Sequence, residues 1–276
     1  MMIHKLIALS VLASAPIAAA QPTEQPASAS IAAAEQLFNE ARSLSEKGDF
    51  AAACPRFEAS YKLDAALGTL SGVLRTAPND SGVLLAIGRV YIARAERNPE
   101  GDDDAVRHAL EVIERALGGT APRSEGLALF GRAKFLAGSY ADAERYLRDA
   151  VETSPVHAEA FLYLADVAER TSHDLVARDA LVNYDALKGD TSTGEARAAR
   201  AARIGDLSLR AGDAAAAVEF LARAVAGGHT TPLTLGLLAQ ARWLTGDVAS
   251  ARELIARALA ADPRDAQLQR ISRVVR

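Results

Sequence analysis

The chain has 276 residues, half of them hydrophobic and 5% aromatic, with a formal charge of −4 at pH 7. That length fits one extended domain or two compact ones, and a mildly acidic chain with no basic block lacks the electrostatic footprint of a nucleic-acid binder. Alanine, leucine and arginine are abundant and no long Val/Ile/Thr run alternates with period two, so the composition reads all-α.

In chain order, the first element is a leader. Lys5 gives a positive end, Leu6 to Ala13 an apolar stretch, and Ala18-Ala19-Ala20 a small-residue cleavage signal before Gln21. This is the layout of a secretory signal peptide over residues 1–20, too short and interrupted to span a bilayer. Cleavage after Ala20 would leave a periplasmic or secreted chain with no stable membrane insertion. Residues 21–33, rich in Pro, Ser, Gln and Ala, read as a flexible linker. Cys54 is the single cysteine, so no intramolecular disulfide is available and stability must come from packing.

From residue 34 the chain repeats itself. Units begin at Ala34, Ser81, Ser124, Ala158, Ala198 and Pro232, and 34 residues separate the third from the fourth and the fifth from the sixth. Each first helix is expected to stop fourteen residues in, at Gly48, Ala95, Gly138, Ser172, Gly212 or Gly246, with Asp49, Asp213 and Asp247 as N-caps of the second. Small residues recur at the eighth place (Ala41, Gly88, Gly131, Ala165, Gly205, Ala239) and large apolar ones at the twenty-fourth (Phe57, Ile113, Leu147, Leu181, Leu221, Ile255). Slender side chains allow antiparallel helices to approach closely, and the bulky ones then fill the grooves. Residues 66–80 read as a second-helix segment, Tyr184 stands where other units carry a small residue, and residues 266–276 form a closing helix.

A 34-residue period of helix, turn and helix resembles the tetratricopeptide repeat (TPR) family. The resemblance runs over residues 34–265 and implies a TPR-type α-solenoid of five to seven repeats with a C-terminal capping helix. It also implies that the first helices build a concave face that binds protein or peptide, without catalysis.

On such a face, places five, nine and twelve are expected to line the groove, being one turn apart. The ninth place reads Arg42, Arg89, Arg132, Asp166, Asp206 and Gln240, basic first and acidic later. Phe38, Leu85, Phe135, Leu162 and the lone tryptophan, Trp243, supply apolar contacts. Two readings of the charges stand. One is a graded groove that orients a partner segment. The other is a solvated face whose arginines pair with Glu46, Glu96 or Glu125.

No paired histidines, nucleophile elbow, phosphate-cradling glycine loop or calcium-loop spacing occurs, so the sequence implies no enzyme, cofactor or metal site. The expected function is an exported scaffold or adaptor for assembly of envelope complexes. The alternative is a helical solute- or glycan-binding envelope protein, which the scarcity of aromatics disfavours.

Overall fold

The computed structural model describes residues 63–97, 103–188 and 193–275. The expected leader, the linker, most of the first unit and the candidate residues Phe38 and Arg42 lie outside them. Residues from Leu67 onward form one unit, described here. After α1 (Leu63–Thr76), which occupies the expected second-helix segment, come five helical hairpins and a final helix. The hairpins are α2 (Ser81–Arg97) with α3 (Asp103–Leu117), α4 (Arg123–Leu136) with α5 (Tyr140–Glu152), and α6 (Glu159–Arg170) with α7 (Asp174–Lys188). There follow α8 (Gly194–Arg210) with α9 (Ala214–Ala226), α10 (Pro232–Leu244) with α11 (Val248–Ala261), and the closing helix α12 (Ala266–Val274). No strand occurs among the described residues.

The turns within hairpins are built alike. Gly138, Gly212 and Gly246 adopt φ of +74°, +82° and +90°, and Ser172 holds the same place at +59°. In each, the next residue's N–H reaches back to a carbonyl in the last turn of the first helix: Ser139 to Lys134, His173 to Ala168, Asp213 to Ser208, Asp247 to Arg242. This satisfies acceptors that the helix end leaves open. Asp213 and Asp247 then cap α9 and α11 by accepting from the N–H groups of Ala216 and Ser250. The second unit differs. Ala95 is not a turn residue, because α2 continues to Arg97 and buries it.

Between paired helices, the eighth and twenty-fourth places meet. Gly88, Gly131 and Gly205 face Ile113, Leu147 and Leu221, which are wholly buried. A methyl carbon on Gly131 would sit 2.6 Å from Leu147 Cγ, and one on Gly205 2.5 Å from Leu221 Cγ. Ala165 and Leu181, then Ala239 and Ile255, take the same places in the other hairpins and are also buried. Sealing the far end, α12 puts Leu268 against Gly236 of α10.

Hairpins stack through their first helices as well. Direct packing joins α2 to α4, α4 to α6, α8 to α10 and α10 to α12, whereas α6 and α8 do not approach so closely. Tyr184 stands at this junction. Ala116, Ala150, Ala224 and Ala258 hold its place elsewhere, all fully buried. Its ring lies 5.0 Å beneath the Arg200 guanidinium of α8, which also donates to Asp185 at 2.6 Å.

Candidate functional site: the first-helix face

The two described ninth-place arginines, Arg89 and Arg132, are not free. Arg89 of α2 bonds Glu125 of α4. Arg132 of α4 donates from Nε to Glu96 of α2 at 2.7 Å and from Nη1 to Asp166 of α6 at 2.9 Å. It is only 9% exposed, with its guanidinium 5.1 Å from the centroids of both Phe135 and Tyr163. Glu125 and Glu96 are partners named in the second reading of the charges, but Arg132 is buried rather than solvated. Arg132 thereby fixes three successive first helices, and a guanidinium suits the task because its fork serves two carboxylates at once.

The chain of pairs continues where α6 and α8 stand apart. Arg203 of α8 donates to Asp166 at 2.7 Å and also bonds Glu169. Burial opposes the charge on Arg203, but the two carboxylates outweigh it and hold its pKa above the ordinary value. Arg210, one turn past Asp206, lies 3.6 Å from that carboxylate, 3.3 Å from Asp174 and 3.9 Å from Glu169. Side-chain bridges here replace direct helix packing.

Counting the connected groups shows an imbalance. Among the described groups, Glu169, Asp174 and Asp206 share the guanidinium of Arg210, and Glu169 alone of the three also has Arg203. Arg170, next to Glu169 in sequence, turns instead to the ring and hydroxyl of Tyr140. The deficit falls at the α8 end. Burial raises the Asp206 pKa and Asp174 adds to the rise, while Arg210 only partly offsets them. Asp174 Oδ1 is within ion-pair range of Arg210 yet buried without an aligned hydrogen bond.

The apolar candidates divide. Leu85 is 2% exposed and belongs to the core with Ile92 and Ile113, which removes it from the groove. Ala128 and Ala202, at place five of their units, are buried as well, because there that side of the first helix turns toward the neighbouring hairpin. Leu162 and Phe135 are half-buried against the central core, and Phe135 forms part of the floor under Arg132. Trp243 is half-buried against the C-terminal core. The first-helix face of α10 instead exposes Leu233 and Leu244, 39% and 51% accessible, which lie in line with Gln240 along the helix.

Sequence reasoning missed Arg203, Glu169, Arg210, Tyr163 and Asp174. A signal was present: opposite charges separated by about one repeat, as in Arg132 with Asp166 at 34 residues and Arg203 with Glu169 at 34. Among the described residues no group of three His, Cys, Asp or Glu side chains is placed to hold a metal. No described helix is long and apolar enough to cross a membrane.

Two tetratricopeptide repeat family models match the chain, over residues 128–190 and 208–273. Among solved structures, YrrB, described as a TPR protein with an unusual peptide-binding site, superposes with a TM-score of 0.61 at 12% identity, covering 74% of this chain and 97% of that one. PilF of Pseudomonas aeruginosa gives 0.56 at 15% identity, covering 88% and 97%. PilW, described as a widely conserved type IV pilus biogenesis factor, gives 0.51 at 15%, covering 87% and 98%. At these identities the likeness is one of fold. No curated protein sequence matches.

Proposed function

Because the chain belongs to the tetratricopeptide repeat family, we propose that it is an exported scaffold whose first-helix face binds a protein or peptide partner. The observation that carries this reading is the pair Leu233 and Leu244, apolar and solvent-exposed on α10. Elsewhere along the face, Arg89, Glu125, Asp166, Asp206 and Arg210 are engaged in ion pairs. YrrB, a fold neighbour, is described as having a peptide-binding site, and PilW as a pilus biogenesis factor. Together with the leader expected from the sequence of residues 1–20, these support a place in the envelope, periplasmic or secreted, in assembly of a larger complex. Such a role needs surface complementarity and no cofactor or reaction.

The test is site-specific photo-crosslinking in intact cells, with the photoreactive residue at Leu244 or at Val182 on the second helix α7, itself 37% exposed. The scaffold reading expects discrete adducts of the same partner from position 244 and none from 182. Adducts from 182 alone, or from neither, contradict it. Fractionation of the tagged chain tests the location; retention in the cytoplasm contradicts export.

A further inference from the structure

This inference rests on the scaffold reading above and names the chemistry of the partner. The α8–α10 part of the first-helix face combines two unmet demands. On α10, Leu233 and Leu244 expose apolar surface with Gln240 between them. On α8, Asp206 occupies the ninth place, as Gln240 does on α10. In the second and third hairpins the ninth-place side chains bond each other directly, Arg132 to Asp166 at 2.9 Å. Here that relation joins a carboxylate to a neutral amide, and no arginine comes from α10 to complete the series. On α8 the described ion pairs therefore end with Arg210 divided among three carboxylates.

We infer that the α8–α10 face docks a segment in which a lysine or arginine stands beside leucine-like side chains, the cation meeting Asp206 and the apolar groups covering Leu233 and Leu244. Charge complementarity sets the choice. An acidic segment would deepen an existing excess of negative charge, and like charges brought together across an interface are strongly disfavoured. A purely apolar segment would strand the half-buried Asp206 carboxylate without a partner, at a desolvation cost. A cation placed there supplies for α8 what Arg203 supplies for α6. The preference is opposite to that of a groove that clamps a partner's carboxylate.

Panning a random linear peptide library, displayed on phage, against the full chain tests the inference. Enriched sequences should pair Lys or Arg with Leu, Ile, Met or Phe. Synthetic versions should lose about tenfold in affinity on Leu244→Asp or Asp206→Asn, and more on Asp206→Arg. Both positions are partly or well exposed, and a melting curve for each variant separates lost binding from lost folding. Enriched peptides that are acidic, or that bind the variants unchanged, overturn this partner chemistry while leaving the scaffold reading intact. Failure to enrich any peptide also overturns it, and the crosslinking experiment then judges the scaffold reading by itself.

Discussion

Gly131 on α4 faces Leu147 on α5 so closely that no side chain fits between them: an added methyl carbon would stand 2.6 Å from Leu147 Cγ and 3.2 Å from the Ala143 carbonyl oxygen. The hairpin holds together because one place is empty and its opposite is full. The same relation recurs between Gly205 and Leu221.

Gly131→Ala is accordingly expected to destabilise the chain. Alanine is the better helix former by about 1 kcal/mol, but overpacking a tight core costs roughly 1–3 kcal/mol, and the Ala143 backbone cannot yield as a side-chain tip can. Urea denaturation should show a net loss of up to about 2 kcal/mol. A more stable variant would mean that the helices are farther apart than described.

Ser172 and Gly212 occupy the same turn position, with φ of +59° and +82°. Left-handed backbone costs a residue with a Cβ about 1–2 kcal/mol, so Gly212→Ala should lose about 1 kcal/mol. Ser172→Gly removes that strain but gives the unfolded chain more freedom, by about 0.5–1 kcal/mol. Its net effect should be neutral to slightly stabilising. Thermal melts should thus fall for Gly212→Ala and stay level or rise for Ser172→Gly, and parallel losses would contradict the equivalence of the two turns.

Arg132 is the most buried cation among the described residues of the first-helix face, and removing it takes the guanidinium from Glu96 and leaves Asp166 with Arg203 alone. Breaking one side of a buried pair costs roughly 3–5 kcal/mol, so Arg132→Ala should lower stability by an amount of that order. Arg107, exposed and paired with Asp104 on the same turn of α3, should lose nothing measurable on the same substitution. Denaturation midpoints of the two variants provide the check. Equal effects would mean that the ladder is solvated ornament.

Two carboxylates should respond oppositely to pH. Burial raises the Glu159 pKa, but Lys188 at 2.8 Å and His157 more than reverse this and hold it below the ordinary value. Its contribution to stability is therefore present above the unfolded carboxylate range, about 4.3, and disappears as pH falls through the folded pKa. Asp206 is raised, so it favours folding only while protonated, below about 3.9, and that advantage is lost as pH rises through its folded pKa. At pH 7, Glu159→Gln should lower the melting temperature and Asp206→Asn should raise it. Both differences should shrink toward pH 3. Shifts of the same sign at pH 7 would contradict the environments described for these groups.

Periodicity carried most of the fold because the repeat imposes strong local rules. The glycine turns, the Asp213 and Asp247 caps and the match of Gly131 to Leu147 each follow from residues a few turns apart. The side toward which place five points was not legible. Leu85 would suit a groove by its chemistry, and only the angle at which the next hairpin leans makes it core. The length of α2 was likewise hidden, since Ala95 occupies a position where other units carry a turn residue. Charge partners were partly readable. Glu96 and Glu125 lay within reach of the ninth-place arginines, whereas Arg203 and Arg210 gain their role only because Tyr184 accompanies a wider spacing of α6 and α8.

Hydroxyl-radical footprinting of the full chain, free and bound to its crosslinked partner, tests the central claim most directly. If the first-helix face is the binding surface, oxidation of Leu233, Trp243 and Leu244 should fall on binding while Leu175 and Val182 of α7 remain as reactive as in the free chain. Protection of Leu175 and Val182 with α10 unchanged would place the partner on the opposite helices and contradict the account.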